Sequence, residues 1–296
     1  MKMLGEYQNG NYNVTLFNNG TKIRDTINPN DNYFIPNFPE CMDVKITNYC
    51  DLECPYCHEN SNINGIHGNI LQARFINTLH PYTELALGGG NPLSHPDLII
   101  FLTKLKERNI IANLTVNQKH FLDNQILLKK LIDEKLIYGL GVSLIKPTDE
   151  LIICLKQFSN SVLHIINGVV KIEDLQKLYN QNFKILILGY KQFRRGIDYY
   201  CELVEKNKEI LYNQLPKIIN KFQVVSFDNL AIEQLDVKRL MSEKQWNEFY
   251  MGNDGQYTMY IDLVENKFAK CSVSDNRYEL MNNIGQMFNI VRNEKK

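Results

Sequence analysis

Three of the seven cysteines in this 296-residue chain lie close together, at Cys50, Cys54 and Cys57 in the stretch ITNYCDLECPYCHENS. They come directly after a predicted strand, Met42 to Thr47, and we expect them to lie on a loop. In parallel α/β proteins the loops at the carboxyl ends of the strands carry the chemistry. Three thiolates on one short loop can converge on a metal, so the spacing predicts a metal site.

The spacing alone leaves three alternatives for this loop. An iron–sulfur cluster takes cysteine thiolates as ligands, and three of them leave one iron of a four-iron cluster free to bind a substrate or cofactor. A zinc ion held by the three cysteines with His58 or His67 is the second alternative. The third, three buried packing groups, conflicts with the polar residues Asp51 and Glu53 between them.

A glycine-rich stretch, LALGGGNPLSHPDL, follows the next predicted strand. Its residues Gly88, Gly89 and Gly90 allow the backbone to approach a ligand closely, although tight strand–helix turns also need glycine. Polar side chains end the later strands, and they would line one mouth of a barrel. These side chains are Thr115, Asn117, Ser143, Asn167 and Lys191, and for each one a surface or capping role is the alternative.

Six short apolar runs alternate with helical patterns between Met42 and Leu188, and this alternation predicts a parallel sheet with right-handed crossovers. The predicted strands are Met42–Thr47, Leu85–Leu87, Ile110–Val116, Tyr138–Leu144, Val162–Ile166 and Lys184–Leu188. The predicted helices are Leu71–Leu79, Pro96–Arg108, Asp123–Glu134, Asp149–Phe158 and Ile172–Asn180. The pattern fits an open, partial β/α barrel and a doubly wound sheet about equally well.

Two further regions flank this α/β core of residues 41–197. In residues 1–40, apolar and polar residues alternate around Asn9-Gly10 and Asn19-Gly20, which predicts β-hairpins. Residues 198–296 begin with a polar helix around Tyr199 to Asn220 and include a hairpin that turns at Glu265-Asn266. We expect this C-terminal region to be a small α+β extension that packs on the barrel.

The stretch CDLECPYC resembles the CxxxCxxC loop of the radical S-adenosylmethionine (SAM) enzymes, and Tyr56 stands where that family usually has an aromatic residue. The resemblance implies a [4Fe-4S] cluster on the three cysteines, with SAM chelating the open iron through its amino and carboxylate groups. Reduction would cleave SAM to methionine and a 5′-deoxyadenosyl radical. The resemblance also implies a partial (β/α)6 TIM-like barrel and an external low-potential electron donor of the flavodoxin or ferredoxin type.

The glycine-rich turn is similar to the Gly-Gly-Glu-Pro element with which this family binds the SAM amino group. Asn91 stands in the place of the glutamate, and its amide oxygen can accept a hydrogen bond from an ammonium without the charge of a carboxylate. The resemblance further implies that Ser143 contacts the SAM ribose or carboxylate. It places Asn167 beside the adenine and makes Lys191 a further site residue.

One cysteine of the C-terminal region, Cys271, lies at the end of the predicted hairpin Thr258 to Ala269. If this hairpin closed the barrel mouth, the Cys271 thiol could donate a hydrogen atom to a substrate radical. The alternative is an incidental residue in a position suited to serine. Because the C-terminal region has no cysteine cluster, we infer a single iron–sulfur cluster.

Charge and hydropathy limit the classes of partner. The chain has 33 basic and 33 acidic side chains, so no net field attracts nucleic acid or an anionic membrane. Its apolar runs are too short to cross a bilayer, and we expect a cytoplasmic protein. The leading interpretation is a radical SAM enzyme with a slight preference for a peptide or protein substrate. The alternatives are a nucleoside or small-metabolite substrate and, from another class, a zinc-stabilised binding module.

Overall fold

The computed structural model describes residues 1–294, and its first element is a three-stranded antiparallel sheet. The strands are β1 (Met3–Asn9), β2 (Tyr12–Phe17) and β3 (Lys22–Thr26), paired in sequence order. Gly10 and Gly20 take the positive φ angles, +65° and +88°, that these tight turns require. Both predicted hairpins are confirmed.

Six strands of the main sheet pair in parallel with their neighbours in sequence order, which confirms the predicted succession of β/α units. They are β4 (Cys41–Thr47), β5 (Glu84–Gly89), β6 (Ile111–Asn117), β7 (Gly139–Ser143), β8 (Ser161–Ile166) and β9 (Lys184–Leu188). Side chains alternate along each strand. On β5 and β6, Leu85, Leu87, Leu114 and Val116 are buried in the core that includes the crossover helices. The residues between them line the interior of the barrel.

The crossovers after β5 to β8 are helical, as predicted. They comprise α1 (Leu98–Glu107), α2 (Gln118–Asp123), α3 (Gln125–Asp133), α4 (Asp149–Leu155) and α5 (Ile172–Gln176). The predicted helix at Leu71–Leu79 is wrong in type, because this crossover contains only two short 3₁₀ helices, Ile70–Gln72 and Arg74–Thr78. The predicted helix Asp123–Glu134 is preceded by a separate turn of helix, and the chain bends between the two at Asn124.

The C-terminal third contributes strands to the main sheet, so it does more than pack on the barrel. Its elements are α6 (Arg195–Tyr199), α7 (Glu202–Ile218), β10 (Val224–Phe227), α8 (Asn229–Gln234), α9 (Glu243–Phe249), β11 (Thr258–Asp262), β12 (Lys267–Ala269), β13 (Tyr278–Glu279) and α10 (Ile284–Arg292). β10 pairs in parallel with β9, and β11 pairs in parallel with β4. The sheet order is therefore β10-β9-β8-β7-β6-β5-β4-β11-β12-β13. Strands from beyond residue 197, the predicted domain boundary, lie at both edges of this sheet.

The predicted hairpin is confirmed as β11 and β12, with Asn266 at φ +55° in its turn. Closure of the barrel mouth by this hairpin was a hypothesis, and the pairing of its strands describes a different arrangement. The hairpin instead extends the edge of the sheet beside β4, because the β11 backbone pairs with that strand over five residues from Thr258 to Asp262.

A buried ionic network joins the N-terminal sheet to the amino ends of the barrel strands. Glu40 is 1% exposed and accepts hydrogen bonds from the Tyr12 hydroxyl at 2.6 Å and the Arg24 guanidinium at 2.9 Å. Lys22 lies 3.3 Å from Glu40 and 2.7 Å from Glu84. Burial alone would raise the pKa of Glu40, but Lys22 and Arg24 outweigh it and hold the pKa below its usual range.

Among residues 1–294, none of the helices has both the length and the hydrophobicity needed to span a membrane.

Candidate functional site

A cavity of about 270 Å³ lies at the carboxyl ends of the barrel strands. All three clustered cysteines line it, so the structure brings together the loop after β4 and the ends of the next strands. The predicted residues that line this cavity are Cys50, Cys54, Tyr56, Cys57, Gly88, Gly89, Gly90, Thr115, Asn117, Ser143 and Lys191. Three other predicted site residues, Asn91, Asn167 and Cys271, are not part of its lining.

Backbone hydrogen bonds fix the course of the cysteine loop. The Cys50 N–H donates to the Asn62 carbonyl at 2.9 Å, and the Cys57 N–H donates to the Cys54 carbonyl at 3.1 Å. Glu53 adopts a left-handed conformation at φ +44°, and its carboxylate accepts the Ile63 N–H at 3.1 Å. The loop is therefore held to the segment that follows it, and the three thiols are directed into the cavity.

The separation of the three sulfur atoms distinguishes between the predicted metals. In the described part of the chain, the one group of three potential ligand atoms within 4.8 Å of one another is Cys50, Asp51 and His120, so the three sulfurs are not all this close. Sulfur atoms bound to one zinc ion, at about 2.3 Å each, can be no more than about 4.6 Å apart. The arrangement is too open for a single tetrahedral ion and has room for a polynuclear cluster.

The proposed zinc ligands among the histidines lie in different places. His67 is bonded through Nδ1 to the Thr47 hydroxyl at 2.8 Å and packs against His95, with ring centroids 4.9 Å apart. His58 does line the cavity, and its Nε2 lies 3.4 Å from the Lys191 ammonium. Burial, aided by the Lys191 charge, lowers the pKa of His58 to about 3, so this imidazole is neutral at physiological pH.

The thiols lie in surroundings that suit a bound cation or cluster. Burial raises the pKa of Cys50 and of Cys54, and the neighbouring cysteine charges raise the pKa of Cys54 further. Asn117 donates from Nδ2 to the Cys54 sulfur at 3.8 Å. Arg195, which also lines the cavity, has a buried Nε without a hydrogen-bond partner among the described residues. The raised pKa values keep Cys50 and Cys54 protonated unless a bound cation stabilises the thiolates, and the Asn117 and Arg195 donors suit such a thiolate-ligated group.

The three glycines have different roles. A Cβ on Gly89 would lie 2.3 Å from the Thr47 carbonyl oxygen, and a Cβ on Gly90 would lie 2.0 Å from the Tyr49 carbonyl oxygen. At these two positions the backbone approaches the start of the cysteine loop, and both residues also line the cavity. Gly88 is different, because the nearest atom to a Cβ there is the Thr115 Cβ at 4.0 Å. Gly88 keeps one wall of the cavity free of a side chain.

Asn91 supports the cysteine loop from outside the cavity. Its side-chain oxygen accepts the Leu93 N–H at 3.2 Å, and its side chain also hydrogen-bonds the Asp51 carboxylate. His120 bonds the same carboxylate at 2.7 Å. Burial raises the pKa of Asp51, but the hydrogen bonds from His120 and Asn91 outweigh it and lower the pKa below its usual range. The neutral amide at position 91 therefore complements an acidic residue beside Cys50.

Several cavity residues were not identified from the sequence. Lys45, 2% exposed, lies 3.0 Å from Glu59 and 3.3 Å from Asp262, and the Tyr260 hydroxyl donates to Glu59 at 3.2 Å. The charge of His58, in the acidic range where that ring is protonated, and the charge and hydrogen bond of Lys45 outweigh burial and lower the pKa of Glu59 to about 2. This network depends on the pairing of β11 with β4, which no local sequence pattern indicates. Arg195 had a signal, since it lies within the segment LGYKQFRRG, Leu188 to Gly196, which begins where the sixth predicted strand ends.

Asn167 and Cys271 are directed to other parts of the structure. Asn167 is fully buried and donates from Nδ2 to the Gln234 side chain at 3.0 Å, so it joins β8 to α8. The Cys271 sulfur lies 3.4 Å from the Ser274 hydroxyl. Its neighbour Ser272 lines the cavity and accepts a hydrogen bond from the Lys191 ammonium at 2.9 Å.

The strand order and the cavity at the carboxyl ends define an open β/α barrel, the fold that the resemblance to radical SAM enzymes implied. The same fold occurs in SuiB from Streptococcus suis. The structure of SuiB bound to its precursor peptide SuiA matches with a TM-score of 0.54 at 14% identity, over 88% of this chain and 66% of SuiB. SuiB bound to S-adenosylmethionine matches with a TM-score of 0.54 at 14% identity, over 86% of this chain and 66% of SuiB. SuiB alone gives a TM-score of 0.52 at 14% identity.

This likeness establishes the fold, and the chain spans about 66% of the length of SuiB. No protein-family model matches the chain, and no curated protein sequence matches it.

Proposed function

We propose that the protein is a radical SAM enzyme with one [4Fe-4S] cluster held by Cys50, Cys54 and Cys57. The observation that carries this proposal is the convergence of these three thiols on one cavity, with the sulfurs too widely separated for a single metal ion. The shared fold supports it, because SuiB has been solved with SAM bound. A zinc-stabilised binding module does not account for the spacing of the sulfurs.

When bound, the cluster and SAM supply a 5′-deoxyadenosyl radical that abstracts hydrogen from a substrate, and reduction requires an external low-potential donor such as a flavodoxin or ferredoxin. The chain's own residues position these groups and limit the access of water. Asn117 donates to the Cys54 sulfur, and such a hydrogen bond tunes the potential of a thiolate-ligated iron. Tyr56 lines the same cavity and packs edge-on against Tyr199, with ring centroids 5.5 Å apart.

We assign SAM to the part of the cavity between the cysteine loop and the ends of β5 to β7. Gly88 provides an open wall there, and Thr115 and Ser143 offer hydroxyl groups from neighbouring strands. Lys191 and Arg195 bring positive charge to the same cavity and suit a ligand carboxylate. Asn91 acts indirectly in this proposal, since it stabilises Asp51 and with it the loop that carries Cys50.

The substrate class that this arrangement favours is a peptide. SuiB, which has the same fold, binds a precursor peptide, and the present chain has an N-terminal three-stranded sheet whose β1 and β3 are edge strands. An edge strand can bind an extended peptide by strand addition. A nucleoside or small metabolite is the alternative, and it needs no such edge.

Iron analysis after anaerobic reconstitution with iron and sulfide tests the proposal. We expect about four irons per chain and a broad absorbance near 400 nm, because a four-iron cluster bound by thiolates has charge-transfer bands there. Each of Cys50→Ala, Cys54→Ala and Cys57→Ala should lose most of this iron. Cys201→Ala, at an exposed cysteine outside the cavity, is the matched control and should keep it. Stoichiometric zinc without iron in the wild-type protein would exclude the cluster.

A further inference from the structure

A second cavity, of about 560 Å³, occupies the interior of the barrel towards the amino ends of the strands. Its size lies within the range of about 300–1,000 Å³ that is usual for ligand pockets. It adjoins the cysteine-lined cavity, with which it shares the lining residues Asp43, Ala86, Thr115, His164, Leu188 and Lys191. Residues 17–20, in the turn between β2 and β3, form its floor. We call this space the lower chamber.

Small and polar side chains keep the lower chamber open. Closed β/α barrels are filled by layers of large branched side chains, whereas here the inner positions of β5 and β7 are Ala86, Gly139 and Gly141. A Cβ on Gly141 would lie 2.4 Å from the His164 ring, and a Cβ on Gly139 would lie 2.8 Å from the Asn113 side-chain oxygen. The two glycines therefore make room for polar groups that face the interior.

The charges of the lower chamber do not balance. Asp43 faces its interior and, within residues 1–294, has neither a hydrogen-bond donor nor an ion-pair partner. Asp228 accepts the Gly189 and Ala231 backbone N–H groups through one oxygen, which leaves its other oxygen free. Desolvation raises the pKa of both carboxyl groups, although the Asp43 side chain keeps contact with solvent inside the chamber and the charge of Lys191 offsets part of the effect. A positive ligand group placed against either carboxylate would stabilise its charged form.

Lys191 contributes favourable charge to both carboxylates, but within residues 1–294 it forms no hydrogen bond with either. Lys191 is bonded to Ser272 and His58 at the upper end, and the Lys184 ammonium donates to the Ser159 carbonyl at 3.1 Å. Burial lowers the pKa of His164 to about 4, so its ring is neutral at physiological pH. An anionic ligand would be repelled by the two carboxylates, and an apolar one would remove water from them without replacing its hydrogen bonds.

We propose that the lower chamber receives a primary ammonium or guanidinium group of the substrate, with Asp43 as its counter-ion and Asp228 as a second acceptor. Because the two cavities adjoin at Asp43 and Lys191, a ligand that occupied both would place its carbon chain beside the proposed radical. The identification of this ligand as a substrate rests on the proposed radical SAM function. Its binding does not, and can be measured without any radical chemistry.

Binding of n-butylammonium, with 1-pentanol as the neutral probe of similar size, tests the proposal. Affinities are measured by saturation-transfer NMR on full-length, reconstituted protein without reductant. We expect n-butylammonium to bind and Asp43→Asn to weaken it by about tenfold or more, the effect of losing a contact worth about 1.4 kcal/mol. Asp25→Asn, at an exposed carboxylate of β3, is the matched control and should change nothing.

The outcomes separate this proposal from the proposed function. Equal binding of the two probes by wild-type protein, no binding of n-butylammonium, or unchanged binding in Asp43→Asn would each overturn the ammonium assignment. None of these results bears on whether SAM is cleaved. The comparison of n-butylammonium with 1-pentanol uses the wild-type protein alone, so it tests the proposal even if the Asp43→Asn variant fails to fold.

Discussion

Substitution of Gly88 and of Gly90 by alanine, one at a time, should separate a ligand-facing role from a structural one. A Cβ on Gly90 would lie 2.0 Å from the Tyr49 oxygen, and contacts below 3.0 Å are essentially never seen, so the two backbones must separate by about 1 Å. That shift would break the bonds from Gly90 N–H to Thr47 O at 2.8 Å and from Asn91 N–H to Tyr49 O at 2.7 Å. At about 1 kcal/mol each, Gly90→Ala should cost about 2 kcal/mol of unfolding free energy.

Gly88→Ala should behave in the opposite way. Its Cβ meets nothing closer than 4.0 Å, so we expect a change in stability within about 0.5 kcal/mol, together with weaker SAM binding because the methyl group narrows the cavity. Gly89→Val cannot make this distinction, because φ is +109° and the Cβ would lie 2.3 Å from the Thr47 oxygen. Valine there should damage the fold itself.

Thermal unfolding and SAM titration of the same two variants measure both effects. For a chain of 296 residues, 2 kcal/mol corresponds to a decrease in Tm of about 3 °C, which is expected for Gly90→Ala alone. If Gly88→Ala lowered the Tm as much as Gly90→Ala, or if Gly88→Ala bound SAM as the wild type does, the division of roles among the glycines would be wrong.

Three further substitutions test other parts of the structure. Glu40→Gln leaves buried cations without their counter-charge and should cost about 3–5 kcal/mol at pH 7 in urea unfolding. Because folding lowers the pKa of Glu40, its contribution to the unfolding free energy is present above the unfolded pKa of about 4.3 and is lost as the pH falls through the folded pKa. The stabilities of the variant and the wild type should therefore converge in acid. A difference that stayed constant with pH would contradict this. Asn91→Glu places a second carboxylate beside Asp51 and should lower Tm and iron retention, whereas tighter SAM binding would show that residue 91 faces the ligand. Cys271→Ser should leave product formation near wild type, since the sulfur contacts Ser274 outside the cavity; product loss with intact SAM cleavage would restore the hydrogen-donor role.

The local parts of the fold could be predicted from the sequence. The hairpin turns at Gly10 and Gly20 and the six parallel strands follow from side-chain alternation and turn residues, which depend only on neighbours in the chain. β10 could not be predicted in this way, because its four residues, Val224 to Phe227, are only partly buried and show no strong apolar pattern. The parallel pairing of β11 with β4 joins segments more than 200 residues apart and has no local signature.

The candidate site divides in a similar way. The cysteine loop and the glycine-rich turn have recognisable spacings, and the ends of parallel strands converge on one edge, so Thr115, Asn117 and Ser143 could be placed from the sequence. The direction in which each side chain points could not be predicted from the sequence. Residues at a strand end can face the cavity or the adjoining helix, and Asn167 faces α8. Ser272 faces the cavity although its neighbour Cys271 was the predicted residue, because both lie in a turn after β12, where no regular alternation sets the direction of a side chain.

Reductive cleavage of SAM is the most direct test of the central claim that the three thiols hold a cluster that activates SAM. The measurement is the formation of 5′-deoxyadenosine and methionine by anaerobically reconstituted protein with a strong reductant. The structure predicts both products from the wild type and from Cys201→Ala, and neither from Cys50→Ala, Cys54→Ala or Cys57→Ala. A fully iron-loaded wild-type protein that forms no 5′-deoxyadenosine, or cysteine variants that form as much as the wild type, would contradict it.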